Sequence, residues 1–279
     1  MATLLLVLQL LLVVTGGAVR LTGSGLGCPT WPECTEGSYK PVADQIEGQL
    51  HAWIEFGNRL LTFVLVLAAL AVVITVLRRR RRDLYQLALL QVLGIFGQGI
   101  LGGITVLTDL NPIPVAGHLL LSLLLIAGAT SIREYWREPA SKVRPTGTIA
   151  HLSRAHILCT AAVLVVGTVV TGSGPHAGDV KAPRFDFDQR YVSWLHADLV
   201  IALLGISLAI WVATAGEVKR RTALFIALSL LQGLIGYVQF YLGLPEIIVG
   251  FHLLGSALVT IFAWRLRLSL IRALPSTSR

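Results

Sequence analysis

Apolar residues dominate eight stretches of this chain, near 3–20, 50–77, 84–107, 115–133, 151–171, 192–214, 222–242 and 247–267, separated by segments that hold most of the charge. An α-helix needs roughly 20 such residues to cross the hydrocarbon of a bilayer, so the pattern predicts eight transmembrane helices. The pattern is also duplicated. Gln98-Gly99-Ile100-Leu101-Gly102 returns 134 positions later as Gln232-Gly233-Leu234-Ile235-Gly236, and the same step carries His118 onto His252. A fixed offset that carries both a glycine pattern and a histidine implies two copies of one unit. Four helices per copy return the chain to its starting side, so the copies share an orientation and are related by an axis along the membrane normal. The expected architecture is an all-α integral membrane protein of two parallel-repeat four-helix bundles, residues 1–140 and 141–279.

Composition agrees: 54% hydrophobic and 14% charged residues, with a mean hydropathy of +0.74, exclude a soluble body of this size. Arg78 to Arg82, the Arg133/Arg137/Lys142/Arg144 segment, Lys219-Arg220-Arg221 and Arg265/Arg267/Arg272/Arg279 all fall on one side of the eight-span arrangement. The opposite loops carry Glu33, Glu36, Asp44, Glu47, Asp109, Asp179, Asp186, Asp188 and Glu246. The excess of positive charge marks the cytoplasmic side, which then holds both termini. Topology and anionic lipid headgroups account for the net charge of +8, and nucleic acid is not expected as a partner. The first apolar run lacks a basic leader and a small-residue exit, so it is expected to stay as a helix. With no Arg/Ser-rich transit segment before it, the expected location is a prokaryotic cell membrane.

Histidine placement carries the chemistry. His118, His196 and His252 lie within the first turns of helices four, six and eight, which all run the same way across the membrane. An ionisable or metal-liganding side chain at such depth is costly, and the bland alternative is a neutral imidazole hydrogen-bonded to a neighbouring helix. In the second copy His196 and His252 project from two helices of one bundle, the arrangement that holds a haem iron from both faces, which predicts a six-coordinate haem b. In the first copy His118 has the corresponding place but its partner is less obvious. Helix two offers His51, Glu55 and Asn58 along one stripe, followed by Arg59. His151 and His156 read as interfacial residues at the start of helix five, His176 as a loop residue that either covers the edge of the second haem or, more simply, is solvated, and Gln98 and Gln232 as contacts between helices. Trp53, Trp194 and Trp211 read as packing or interface aromatics.

Of the three cysteines, Cys159 reads as a small packing residue within helix five. Cys28 and Cys34 share the first external loop on the oxidising face. They can close a disulfide over the mouth of the first bundle, or remain two thiols. A zinc site lacks the histidine or second cysteine pair it would need in that loop.

The run GGAVRLTGSGLGCPTWPEC at 16–34 closely resembles the first-loop signature of the haem A synthase family, the bacterial and mitochondrial enzymes of cytochrome oxidase assembly. Thr171-Gly172-Ser173-Gly174 repeats its core in the second half, and Glu55-x-x-Asn58-Arg59 and the two glycine-rich histidine helices look like other landmarks of that family. The resemblance implies oxidation of one methyl substituent of haem O to a formyl group, giving haem A, by successive hydroxylation and loss of water. It implies a haem b cofactor on His196 and His252, and haem O in the first bundle with His118 facing its iron. It also makes Glu55 the carboxylate needed for turnover, and Cys28 and Cys34 the loop cysteines of those members that have them.

One departure stands out. Many members have Glu-x-x-His-Arg where this chain has Asn58, and an amide is a poor partner for haem iron. The substrate is therefore expected to be held by His118 alone, the alternative being His51 from two turns up the same stripe. Asn58 is expected to hydrogen-bond an iron-bound water or a propionate, with Arg59 beside it. Arg20 reads either as a propionate partner or as a snorkelling anchor, and Glu55 either as a proton relay or as the ion-pair partner of Arg59. A haem O synthase and an electron acceptor are the implied partners in the bilayer, and a homo-oligomer stays open. A b-type electron-transfer cytochrome would need paired ligands in both bundles, which Asn58 opposes. A parallel-repeat transporter would need discontinuous helices at mid-membrane.

Overall fold

A computed structural model describes residues 1–139 and 147–273; the predicted boundary at 140/141 and Lys142, Arg144 and Arg279 lie outside the described residues. Each apolar stretch is one helix: α1 (Ala2–Leu21), α2 (Gln49–Arg78), α3 (Arg82–Leu107), α4 (Pro112–Arg137), α5 (Gly147–Ser173), α6 (Gln189–Ala213), α7 (Gly216–Tyr241) and α8 (Glu246–Ala273). All eight are long and apolar enough to cross a membrane. They overrun the apolar stretches at their charged ends because a helix need not stop where hydrocarbon does. Thus α7 begins with a charged turn in which Glu217 pairs with Arg220 at 2.9 Å and Arg221 at 2.7 Å, the spacing that stabilises a helix surface.

The first four helices close a ring, α1 on α2, α2 on α3, α3 on α4 and α4 back on α1, and α5 to α8 close a second in the same order. The rings meet where α4 lies on α8, α1 on α8 and α4 on α5. Exchanging the rings turns the α1–α8 contact into the α5–α4 contact, as a twofold axis passing between α4 and α8 requires.

Each ring is solid at one end and hollow at the other. The largest packed cluster joins Leu5 of α1, Val72 of α2, Leu84 of α3, Ile126 and Ile132 of α4 and Ile261 of α8, all toward the basic end of their helices. Two amides are linked inside it: Gln9 donates to the Gln91 side chain, and Gln91 donates to the Leu125 carbonyl at 3.2 Å, while the Gln9 Oε1 is buried without a partner among the described residues. Gly128 makes room for Gln91.

At the basic end the rings are tied by charge. Glu134 of α4, only 4% exposed, meets Arg133 at 3.4 Å, Arg221 of α7 at 3.4 Å and Arg265 of α8 at 3.1 Å. Arg272 pairs with Glu138 at 2.9 Å across the same seam. At the loop end the tie is backbone: the Gly25 N–H donates to the Gly178 carbonyl at 2.9 Å. Gly178 has φ +95° and lies against the Cα atoms of Gly25 and Arg20, a conformation and a closeness that a side chain would oppose.

Replacing Glu134 leaves three guanidinium groups facing each other over a buried site. Glu134→Gln is expected to cost about 2 kcal/mol, read as a lower melting temperature of the detergent-solubilised protein.

Candidate functional site

The hollow ends form a cavity of about 1730 Å³ lined from both rings, and His118, His196 and His252 all face it. Each imidazole lies on a glycine of the preceding helix. Measured to where a Cβ would sit, the ring carbon Cε1 of His118 is 3.3 Å from Gly102 of α3, that of His196 is 3.1 Å from Gly167 of α5, and that of His252 is 3.4 Å from Gly236 of α7. Any side chain there would crowd the ring. The fourth position follows the same plan with a different residue: the Asn58 amide nitrogen of α2 is 3.9 Å from the corresponding point on Gly16 of α1.

The Nδ1 atoms of all three histidines are buried without a close hydrogen-bond partner among the described residues, although the His196 and His252 rings lie toward the Val163 and Gln232 carbonyls of the preceding helices. The centres of the His196 and His252 rings are 6.4 Å apart. Two imidazoles bonded to one metal ion at about 2 Å, with each nitrogen roughly 1 Å from its ring centre, put the centres about 6 Å apart. The pair therefore fits an iron held from both faces. In the first ring His118 is the one histidine lining the cavity among the described residues. Asn58 accepts a 2.7 Å hydrogen bond from the Thr15 hydroxyl, and His51 is not among the residues lining the cavity. The His51 Nδ1 is 2.8 Å from the Ser24 hydroxyl, and its carbonyl lies against Gly27. This corrects the alternative in which His51 reaches the iron: it holds the first loop instead.

Glu55 lines the same cavity and is 6% exposed. Its Oε1 receives Arg59 through Nη2 at 2.6 Å and Nε at 3.1 Å, and its Oε2 receives the Cys28 N–H at 2.7 Å. Arg59 in turn donates to the carbonyls of Glu33 and Cys28, each at 3.0 Å, and Thr30 at 3.1 Å. The carboxylate is thus both paired and cavity-facing, and the pair anchors the loop that Cys28 and Cys34 close as a disulfide. From that loop the Trp31 ring packs on Gly103 of α3, so the loop roofs the first ring from α2 to α3.

Arg20 faces the cavity too, but reaches across the seam, donating to the Thr171 carbonyl at 2.9 Å and to the His176 carbonyl. His176 is not a solvated loop residue: it is half-buried, and its Nε2 lies 2.7 Å from the Leu244 carbonyl. Nor is His156 interfacial, since it is 1% exposed and stacks edge-on against Phe225 of α7 with centres 4.6 Å apart. Gln98 does connect helices, donating to the His118 carbonyl at 3.0 Å and to the Ser122 hydroxyl at 2.7 Å. Asp198 of α6 also lines the cavity. Sequence reasoning passed over it, although a carboxylate within an apolar run is itself a signal.

Two comparisons bear on this arrangement. A haem A synthase of Geobacillus kaustophilus is 34% identical over 103 residues, 36% of this chain and 31% of that protein, and one of Geobacillus thermodenitrificans is 29% identical over 109 residues, 38% of this chain and 32% of that protein. The matched segments thus span about a third of the Geobacillus proteins. A haem A synthase of Shewanella oneidensis is 27% identical over an alignment of 325 positions that covers 98% of this chain and 97% of that protein. The COX15-CtaA family, described as cytochrome oxidase assembly protein, matches residues 1–179. With more than half of its length matched, this eight-helix membrane protein belongs to the COX15-CtaA family of cytochrome oxidase assembly proteins.

Proposed function

We propose that this protein is a haem A synthase that oxidises one methyl substituent of haem O to a formyl group. The observation that carries the reading is the difference between the rings: a histidine pair with centres 6.4 Å apart in the second, and one histidine and an asparagine lining the cavity in the first. That difference suits a fixed cofactor in one ring and an exchanging substrate in the other. Residues 141–279 would hold haem b through His196 and His252, and haem b supplies single-electron transfer when bound. Residues 1–140 would receive haem O, with His118 on one face of its iron.

Asn58 presents an amide where many members have an imidazole, so the grip on the substrate iron is looser in this chain. Glu55 is held in place by the Cys28 N–H and by Arg59, which positions its Oε1 and Oε2 to take protons as the methyl carbon is oxidised. Arg59 keeps that carboxylate beneath the disulfide loop, and the loop keeps bulk water from the reacting carbon. Arg20 uses Nε and Nη2 on the second half and has Nη1 left for a haem propionate. The basic residues at the solid end favour a cytoplasmic location for that end and both termini, with the haem sites toward the outer face. A haem O synthase and an electron acceptor of the same membrane would be the partners.

Haem extraction with pyridine tests the assignment. In a host that makes haem O, His252→Ala is expected to lose haem b. Glu55→Ala is expected to keep it and form no haem A. A colourless wild-type protein would sink the reading.

Asn58→His should place a second imidazole across from His118. It restores the residue that many members carry, and is expected to give haem O a six-coordinate state visible in the absorption spectrum while turnover is retained.

A further inference from the structure

The cavity of the second ring opens sideways, between α6 and α7, along a wall that includes Trp194, Asp198, Ile201, Leu234 and Tyr237, all of them exposed on the flank of the bundle. Asp198 lies about 14 Å along α6 from its start, in a span whose neighbours are apolar. The other carboxylate set deep in a span, Glu55, is held by an arginine and a backbone N–H. Asp198 has no ion-pair partner among the described residues. A carboxylate in that position is costly unless something offers it a hydrogen.

The first ring shows that the fold does not require it. Two residues beyond Asn58 stands Leu60, where two residues beyond His196 stands Asp198, and the 134-residue step that joins the repeats puts Gly103 opposite Tyr237. The corresponding groove between α2 and α3 is lined by Leu60, Phe63, Phe96 and Ile100. The same architecture thus carries a hydrocarbon wall in one half and a carboxylate with a phenol and an indole in the other.

We propose that the α6–α7 groove binds a membrane quinone, its ring between Trp194 and Tyr237 and its quinol hydroxyl donating a hydrogen bond to Asp198. The occupant follows from three features of the groove: it faces the hydrocarbon, so the ligand is lipid-soluble; it offers an acceptor and two aromatic faces; and it is continuous with the cavity that His196 lines, so electrons can pass between the two. The last feature rests on the reading of His196 and His252 as haem b ligands. The electron balance closes. Oxidation of a methyl group by water to a formyl group releases four electrons and four protons, and two quinones each take up two electrons and two protons, their carbonyls becoming hydroxyls.

A photoreactive azido-ubiquinone analogue, reduced to its quinol and irradiated with the full-length protein in nanodiscs, is expected to label peptides of α6 or α7, with excess decylubiquinol suppressing the label. Asp198→Leu, which copies Leu60, should lower labelling about tenfold while the haem b spectrum is unchanged. Reduction of oxidised haem b by decylubiquinol should slow by a similar factor, and reduction by dithionite should not. Asp198→Asn, which keeps an acceptor oxygen, should recover part of both. Label that decylubiquinol does not suppress, label confined to other helices, or an Asp198→Leu variant that matches wild type would overturn the site and leave the haem A synthase reading standing. Suppressible groove labelling of a protein that holds no haem b would uphold the site and overturn that reading.

Discussion

An imidazole does not fit between two helices packed at ordinary distance with a full side chain opposite it, and this protein is arranged around that constraint. Packed helix axes stand about 8–10 Å apart, and the side chains between them normally fill the space. Here Gly102, Gly167 and Gly236 give up theirs opposite His118, His196 and His252. Each such glycine weakens its helix by about 1 kcal/mol relative to alanine in water, and the helix tolerates it because the imidazole fills the gap. The cavity is therefore a property of pairs of neighbouring helices, not of the histidine helices alone.

The hollow end is stable because the other end is not hollow. The packed cluster and the glutamate ringed by arginines hold the helices at the basic end, so the loop end can stay open without the bundles collapsing. There the Glu55–Arg59 pair has a structural task beside the chemical one proposed for it. Its hydrogen bonds run to three carbonyls and one N–H of the disulfide loop, which makes the carboxylate and the roof one rigid piece. A buried ion pair seldom contributes much net stability, but it fixes geometry, and the position of Glu55 is the geometry at stake.

Much of this was legible in the chain because hydropathy reports directly on the solvent. Eight apolar stretches became eight helices, and the repeated glycine-rich segment with its histidine marked the duplication. The pairing of each histidine with a glycine was less accessible, since it depends on which residue of the neighbouring helix stands at the same depth. His156 was misplaced for a related reason: nearness to a helix end does not say which face a side chain takes, and its partner Phe225 lies on α7. His176 was misread because its acceptor, Leu244, belongs to a loop 68 positions away. The charged first turn of α7 was invisible to hydropathy because lysines and arginines at a membrane surface look like loop until their Glu217 partner is seen beside them.

Arg20 crosses from the first ring to two carbonyls of the second, beside the backbone bond from Gly25 to Gly178. The seam between the rings is thus sewn shut at the very depth where the cavity lies. A planar molecule as broad as a porphyrin has to pass some boundary of the first bundle, and neither the stitched midline nor the anchored roof yields without breaking several bonds at once. The flank that carries neither tie is the outer one, where Phe63 and Phe96 stand exposed beside the cavity they line.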